Sequence, residues 1–215
     1  MKKNTMMRVA SALLVAVLLT TCAISGTFAK YVTSAEAQDS ARVAKWGVVV
    51  GATGDEAFAE KYNDAANAAG TKVVSSVSGQ DVLAPGTNGN LGGISITGKP
   101  EVMVDIAVTA DLSLTGWKLD ASTEYCPIIF TVGSTDIKID GTTIKTVAEL
   151  EAAVEKAFTD LSATNVAANT DLARSVSITW RWDFAGDDVK DTQLGNLATA
   201  PQISFECEVT VTQVD

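Results

Sequence analysis

The sequence predicts a mainly β protein, an antiparallel sandwich with one or two inserted or peripheral helices. Three observations predict it. Apolar and polar residues alternate with period two through many short segments, Gly, Pro, Asn and Asp separate those segments, and one strong helical pattern interrupts them. The alternation is cleanest in residues 203–214, where Ile203, Phe205, Cys207, Val209 and Val211 share one face. Ser204, Glu206, Glu208, Thr210 and Thr212 occupy the other. Residues 176–184 repeat the pattern, with Val176, Ile178, Trp180, Trp182 and Phe184 opposite Ser177, Thr179, Arg181 and Asp183. Each such strand has one face for a core and one for water.

Taken in chain order, residues 1–29 read as a secretory signal peptide. Lys2, Lys3 and Arg8 precede an apolar run from Val9 to Ile24, and Ser25-Gly26-Thr27-Phe28-Ala29 forms a small-residue exit. Thr27 and Ala29 stand where a signal peptidase reads, which places the cut before Lys30. The run is short of the ~20 apolar residues a spanning helix needs, so cleavage is expected rather than retention as an anchor. Lipidation at Cys22 is disfavoured, because Thr21 stands where a lipoprotein signal has Gly, Ala or Ser. Lys30-Tyr31-Val32-Thr33 then reads as a brief strand, and the rest of 30–40 as a small, polar linker. Such a segment is either a loose tail or a strand that adds to a neighbour's sheet.

Residues 41–215 are expected to form a single domain. Its further strands fall at 43–50, 72–77, 91–97, 102–109 and 128–132, with a hairpin over 135–145 turned at Asp140-Gly141. A weak helical stretch at 55–69 holds Phe58 and Tyr62 four residues apart. The strong one begins at a capping box, Thr146 to Glu149, and runs through Val147, Leu150, Val154, Phe158 and Leu161 at helical spacing. That makes a helical insertion at about 146–161.

Charge and composition narrow the function. The chain has 215 residues, 16 Lys and Arg against 26 Asp and Glu, and no His. Without the leader's three basic residues the excess of acid grows, so neither nucleic acid nor anionic lipid is an expected partner. The absence of imidazole excludes Ser-His-Asp and Cys-His catalysis and HExxH zinc sites. Gly86, Gly89, Gly92 and Gly93 precede a strand rather than a helix, which suits a turn better than a phosphate cradle. No cofactor and no enzymatic activity are expected. Carboxylate-only hydrolysis is the one chemistry left, and Glu206 and Glu208 lie on the wet face of their strand.

Three groups remain as candidate sites. Export would place Cys126 and Cys207 in an oxidising compartment, where they either pair as a disulfide or stay as two buried thiols. Asp183, Asp187, Asp188 and Asp191 are an oxygen-rich candidate for calcium, although their spacing is not that of an EF-hand and a solvated acidic turn is favoured. Trp117, Trp180 and Trp182 would suit a sugar-stacking platform, but Trp180 and Trp182 share the apolar face of their strand and are expected in the core. Trp46 is also expected to pack.

The junction Gly26-Thr27-Phe28-Ala29-Lys30-Tyr31, followed by Ala41-Arg42-Val43-Ala44-Lys45-Trp46, resembles the TasA and camelysin family of Gram-positive bacteria. Val82-Leu83-Ala84-Pro85-Gly86-Thr87 before the strand at Ile94, the stretch Asp188 to Gly195, and the closing strand Ile203 to Gln213 are similar to that family in the same order. The resemblance implies a jelly-roll sandwich that is secreted and retained in the extracellular matrix or at the cell surface. It implies removal of the leader by a dedicated signal peptidase and self-association into biofilm-matrix filaments, with other matrix or fibre-anchoring proteins as further partners. It further implies that the mature N-terminal strand, Lys30, Tyr31, Val32 and Thr33, is donated to the next subunit. Cys126 and Cys207 are not part of the family pattern, and the missing histidines argue against the metalloprotease role described for some members. The alternatives are a monomeric surface binding module or adhesin and, less favoured, a secreted hydrolase.

Overall fold

The structure, a computed structural model, describes residues 6–18, 41–53, 58, 73–78 and 80–214. The chain divides into two compact units, Met1–Val43 and Ala44–Asp215. In the first, residues 6–18 form helix α1, which overlaps the leader's apolar run. Among the described residues no helix is long and apolar enough to cross a membrane. The leader exit with Thr27, Ala29 and Lys30, the segment with Tyr31, Val32 and Thr33, and all of the 55–69 stretch except Phe58 lie outside the described residues.

The second unit is built from two antiparallel sheets. One has five strands in the order β1 (Val48–Thr53), β2 (Asn88–Gly98), β7 (Leu172–Trp182), β4 (Ile128–Val132) and β5 (Thr135–Ile137). The other has three, β6 (Ala163–Val166), β3 (Val104–Thr115) and β8 (Gln202–Gln213). Helix α2 (Val147–Thr159) connects β5 to β6, and α3 (Asp188–Gly195) connects β7 to β8. The expected mainly β, sandwich-like architecture is therefore present, its described strands divided five and three.

The two sheets and α2 share one apolar core. Alternate residues point into it: Ile94 and Ile96 from β2, Ile106, Val108, Leu112 and Leu114 from β3, Ile178, Trp180 and Trp182 from β7. Helix α2 adds Val147, Leu150, Val154 and Phe158, the face read from its helical spacing. Burying each of these side chains contributes roughly 1.5–3 kcal/mol, which is why the period-two and period-3.6 patterns decide the fold. Where β1 meets the end of β2 the backbones approach too closely for a side chain. A β-carbon on Gly98 (φ 119°) would lie 2.0 Å from the Gly47 carbonyl oxygen.

Several boundaries differ from expectation. The hairpin turns at Gly133-Ser134, with Val132 opposite Thr135, and not at Asp140-Gly141. Asp140 instead folds its carboxylate onto the N–H groups of Thr142, Thr143 and Ile144, and the chain then enters the Thr146 capping box of α2. That local satisfaction of the backbone competes with a second strand. Residues 73–78 hold no strand, β1 starts at Val48 rather than 43, and α2 ends at Thr159. Asp187, Asp188 and Asp191, read as an acidic turn, belong to helix α3: Asp187 caps it by accepting from the Lys190 N–H, and Leu194 anchors it in the core.

Candidate functional site

The two flanks of the three-stranded sheet are finished differently. On one flank, β6 pairs with β3 only at Val104 and Ile106. Beyond that point side chains take over. Ser162 Oγ accepts the Val108 N–H at 2.9 Å, Glu155 accepts that of Leu112 at 3.0 Å, and Glu151 accepts that of Leu114 at 2.6 Å. The i, i+4 spacing of Glu151 and Glu155 on α2 places two carboxylates on one helix face, where they satisfy donors that a strand would otherwise take. A sheet edge is closed here by a helix.

Those bonds also fix the phase of the β3–β8 ladder. Even-numbered β3 residues direct their N–H and C=O groups toward β6 and α2, so odd-numbered ones bond β8. Twelve pairs run without a register shift, from Val104–Gln213 to Thr115–Gln202. The even-numbered β8 residues therefore face β3, and the continuing bond from Val214 N–H to the Met103 carbonyl at 2.9 Å has the same phase. It follows that the N–H and C=O groups of Ile203, Phe205, Cys207, Val209 and Val211 point away from β3. Among the described residues, nothing pairs with that side of β8.

The same five residues carry the inward side chains of β8, and all are only half-buried, whereas their counterparts on β3 are almost all buried. Phe205 meets the Phe158 ring at 4.9 Å, and the rest of the row lies at the margin of the core. The row thus combines unpaired backbone groups with incompletely covered apolar side chains. The other face of β8 carries Glu206 and Glu208, with Asp111 directly across from Glu206. The remaining exposed ends of the sheets are short: β1 has six residues, β6 four and β5 three.

The other candidate residues fall elsewhere. Cys126 and Cys207 are separate free thiols. Burial pushes the Cys126 thiol up to about 12, and burial with the adjacent Glu206 also raises that of Cys207. The four aspartates do not form one cluster. Asp183 pairs with Arg181 at 3.1 Å, Asp187 pairs with Lys190 at 3.0 Å and Asp188 is exposed. Asp191 is buried and accepts the Tyr125 hydroxyl at 2.6 Å. Among the described residues no three carboxylates or thiols gather into a group able to hold a metal ion.

Trp117, Trp180 and Trp182 are core residues, as the shared strand face of the last two implied. Trp117 packs edge-on to Trp182 with centroids 6.1 Å apart and donates its indole N–H to the Gln202 carbonyl. Both are buried and line a cleft of about 670 Å³ together with Leu83, Leu194, Pro201 and Ile203. Trp46, expected to pack, is 43% exposed, because β1 beside it lies at a sheet edge with no described strand beyond it.

Sequence reasoning found the two-faced β8 but missed its edge position, since alternation does not say which strands are neighbours. It also missed Glu151 and Glu155, whose helical spacing is legible but whose target is not. Compared with known proteins, the chain matches no family model and no curated protein.

Proposed function

We propose that this protein is a structural subunit of an extracellular fibre, assembled when one subunit adds its N-terminal strand to the sheet of the next. The observation that carries this is β8: twelve residues long, unbulged, unpaired on one side among the described residues, and half-covered along its inward row. An added strand would satisfy the open N–H and C=O groups and cover Phe205, Cys207, Val209 and Val211 in the same step. Lys30, Tyr31, Val32 and Thr33 are the donor in this reading, with 34–40 as the reach between subunits. Removal of the leader before Lys30 by a signal peptidase would free the donor's end, placing assembly outside the cell. The jelly-roll order, the matrix location and the kinship with TasA and camelysin belong to this proposal, resting on the resemblance and on the two-sheet architecture that is compatible with it.

Negative-stain electron microscopy of the chain starting at Lys30, with and without residues 30–36, tests the reading. Filaments are expected from the first and a folded monomer from the second; filaments that persist without 30–36 remove the mechanism. A second reading, a monomeric surface binding module, is favoured by the cleft of about 670 Å³ and by the indole N–H of Trp182, which has no hydrogen-bond partner among the described residues. Selective binding on a glycan array, lost in Trp117→Ala, would support it.

A further inference from the structure

Among the described residues, two oxygen acceptors face the space over Gly186, just before α3. Asp191 is only 8% exposed, and although its Oδ1 accepts the Tyr125 hydroxyl, its Oδ2 has no hydrogen-bond partner among the described residues. A β-carbon placed on Gly186 would lie 3.2 Å from that Oδ2 and 3.6 Å from the backbone carbonyl oxygen of Asp183. The space above the Gly186 α-carbon is thus lined by a buried carboxylate oxygen and a carbonyl oxygen. Among the described residues no backbone N–H donates to the Asp183 carbonyl. A buried carboxylate oxygen without a partner is costly unless water or an ion supplies the missing positive charge.

Among the described residues no base hydrogen-bonds that Oδ2, although the Lys190 ammonium lies 5.4 Å from the centre of the Tyr125 ring. Lys190 pairs with Asp187, and Arg181 pairs with Asp136 and Asp183. Asp188, exposed on the first turn of α3, adds negative potential. We propose that the hollow over Gly186 binds a hard divalent cation of the calcium class, with Asp191 Oδ2 and the Asp183 carbonyl as protein ligands and water completing the shell. Calcium accepts this mixture of carboxylate, carbonyl and water oxygens, and extracellular sites with few protein ligands bind at about 10⁻⁴–10⁻³ M. The ligand set is not the four side-chain carboxylates of the sequence pattern, because those of Asp183 and Asp187 are engaged elsewhere. Bound there, the ion would tie the end of β7 to α3.

The test uses the purified chain after chelation, titrated with calcium and separately with terbium, whose luminescence the neighbouring Tyr125 and Trp182 would sensitise. A saturable terbium signal displaced by calcium, and a melting temperature that rises with calcium, are the expected results. Asp191→Asn should weaken binding at least tenfold. Gly186→Ala should do the same by filling the hollow while leaving the Tyr125–Asp191 bond in place, so a misfolded Asp191→Asn does not end the test. Asp188→Asn should change affinity less than about threefold. A melting temperature and luminescence indifferent to both ions would overturn the site and leave a bridging water in the hollow. Binding unchanged in Gly186→Ala, or lost equally in Asp188→Asn, would also overturn it, since either points to loose attraction by surface acid.

Discussion

Two adjacent proline substitutions on β8 separate its two edges. The Thr210 N–H points at β3, opposite Ala107, whereas the Val209 N–H points away. Thr210→Pro removes a ladder donor worth about 0.5–1.5 kcal/mol and leaves a carbonyl on β3 unpaired at about 1–3 kcal/mol, so the loss should be roughly 2–4 kcal/mol. Val209→Pro breaks no ladder bond and forfeits only part of a half-buried side chain, about 1 kcal/mol. In a domain of this size about 2–4 °C of melting temperature accompanies each kcal/mol. Thermal unfolding should therefore show Thr210→Pro lower by roughly 5–12 °C and Val209→Pro by only a few degrees. Electron microscopy should show that Val209→Pro, folded and near-native in stability, forms no filaments, because proline offers an incoming strand no donor there and obstructs its approach. Undiminished filaments from Val209→Pro would refute β8 as the accepting edge. A reversed order of melting temperatures would refute the phase of the ladder.

Three further outcomes follow from the closed flank and the buried polar groups. Glu151→Ala and Glu155→Ala each strand a β3 N–H, Leu114 and Leu112 respectively, and should each cost about 1–3 kcal/mol in denaturant unfolding, more than an exposed helical glutamate does. Burial, followed by the Asp191 carboxylate, raises the Tyr125 hydroxyl above its ordinary value of 10.0. Stability from this group is complete below that pH and is lost as pH rises further, so the alkaline fall in melting temperature should be shallower in Tyr125→Phe. With its thiol raised to about 12 and its side chain buried, Cys126 should resist a thiol reagent until the protein unfolds, while half-buried Cys207 reacts in the native state, as mass spectrometry would read.

The strands with a strict period of two were the legible part of the fold. β8 and β4 fall close to their expected limits because each alternates or is continuously apolar between turn residues. The helix α2 was equally legible, because its capping box and its four buried residues are local facts of the chain. Helix α3 was not: Asp187-Asp188-Val189-Lys190-Asp191 has weak helix formers and a single deep anchor, Leu194, so the segment resembles a solvated turn until tertiary contact decides it. The turn at Gly133-Ser134 lost out to Asp140-Gly141 on dipeptide preference, although the latter's carboxylate is used to cap its own turn. Of the candidate site, alternation gave the composition of β8 but not its place in the sheet. The acids at 183–191 gave a cluster in sequence that separate partners divide in space.

A long edge strand usually carries some protection, such as lysine, proline or a bulge, and β8, open on one side among the described residues, has none of these. What it does carry, Glu206 and Glu208, suits the exclusion of one particular partner, a second β8. An antiparallel β8–β8 pair centred on Cys207 would set Glu206 of each copy against Glu208 of the other, two like-charge contacts that each cost about 0.2–1 kcal/mol. The segment Lys30-Tyr31-Val32-Thr33 holds a base and no acid, so the same charges do not oppose it. Neutralising both, in Glu206→Gln with Glu208→Gln and residues 30–36 deleted, should convert a monomer into a concentration-dependent dimer in sedimentation velocity, and raised salt should do the same in part for the unsubstituted chain. If the double variant sediments as a monomer at every concentration and salt, the glutamates do not select against self-pairing. Selectivity at the β8 edge must then come from the shape of its half-covered row, with Phe205 and Val209 as the residues to change next.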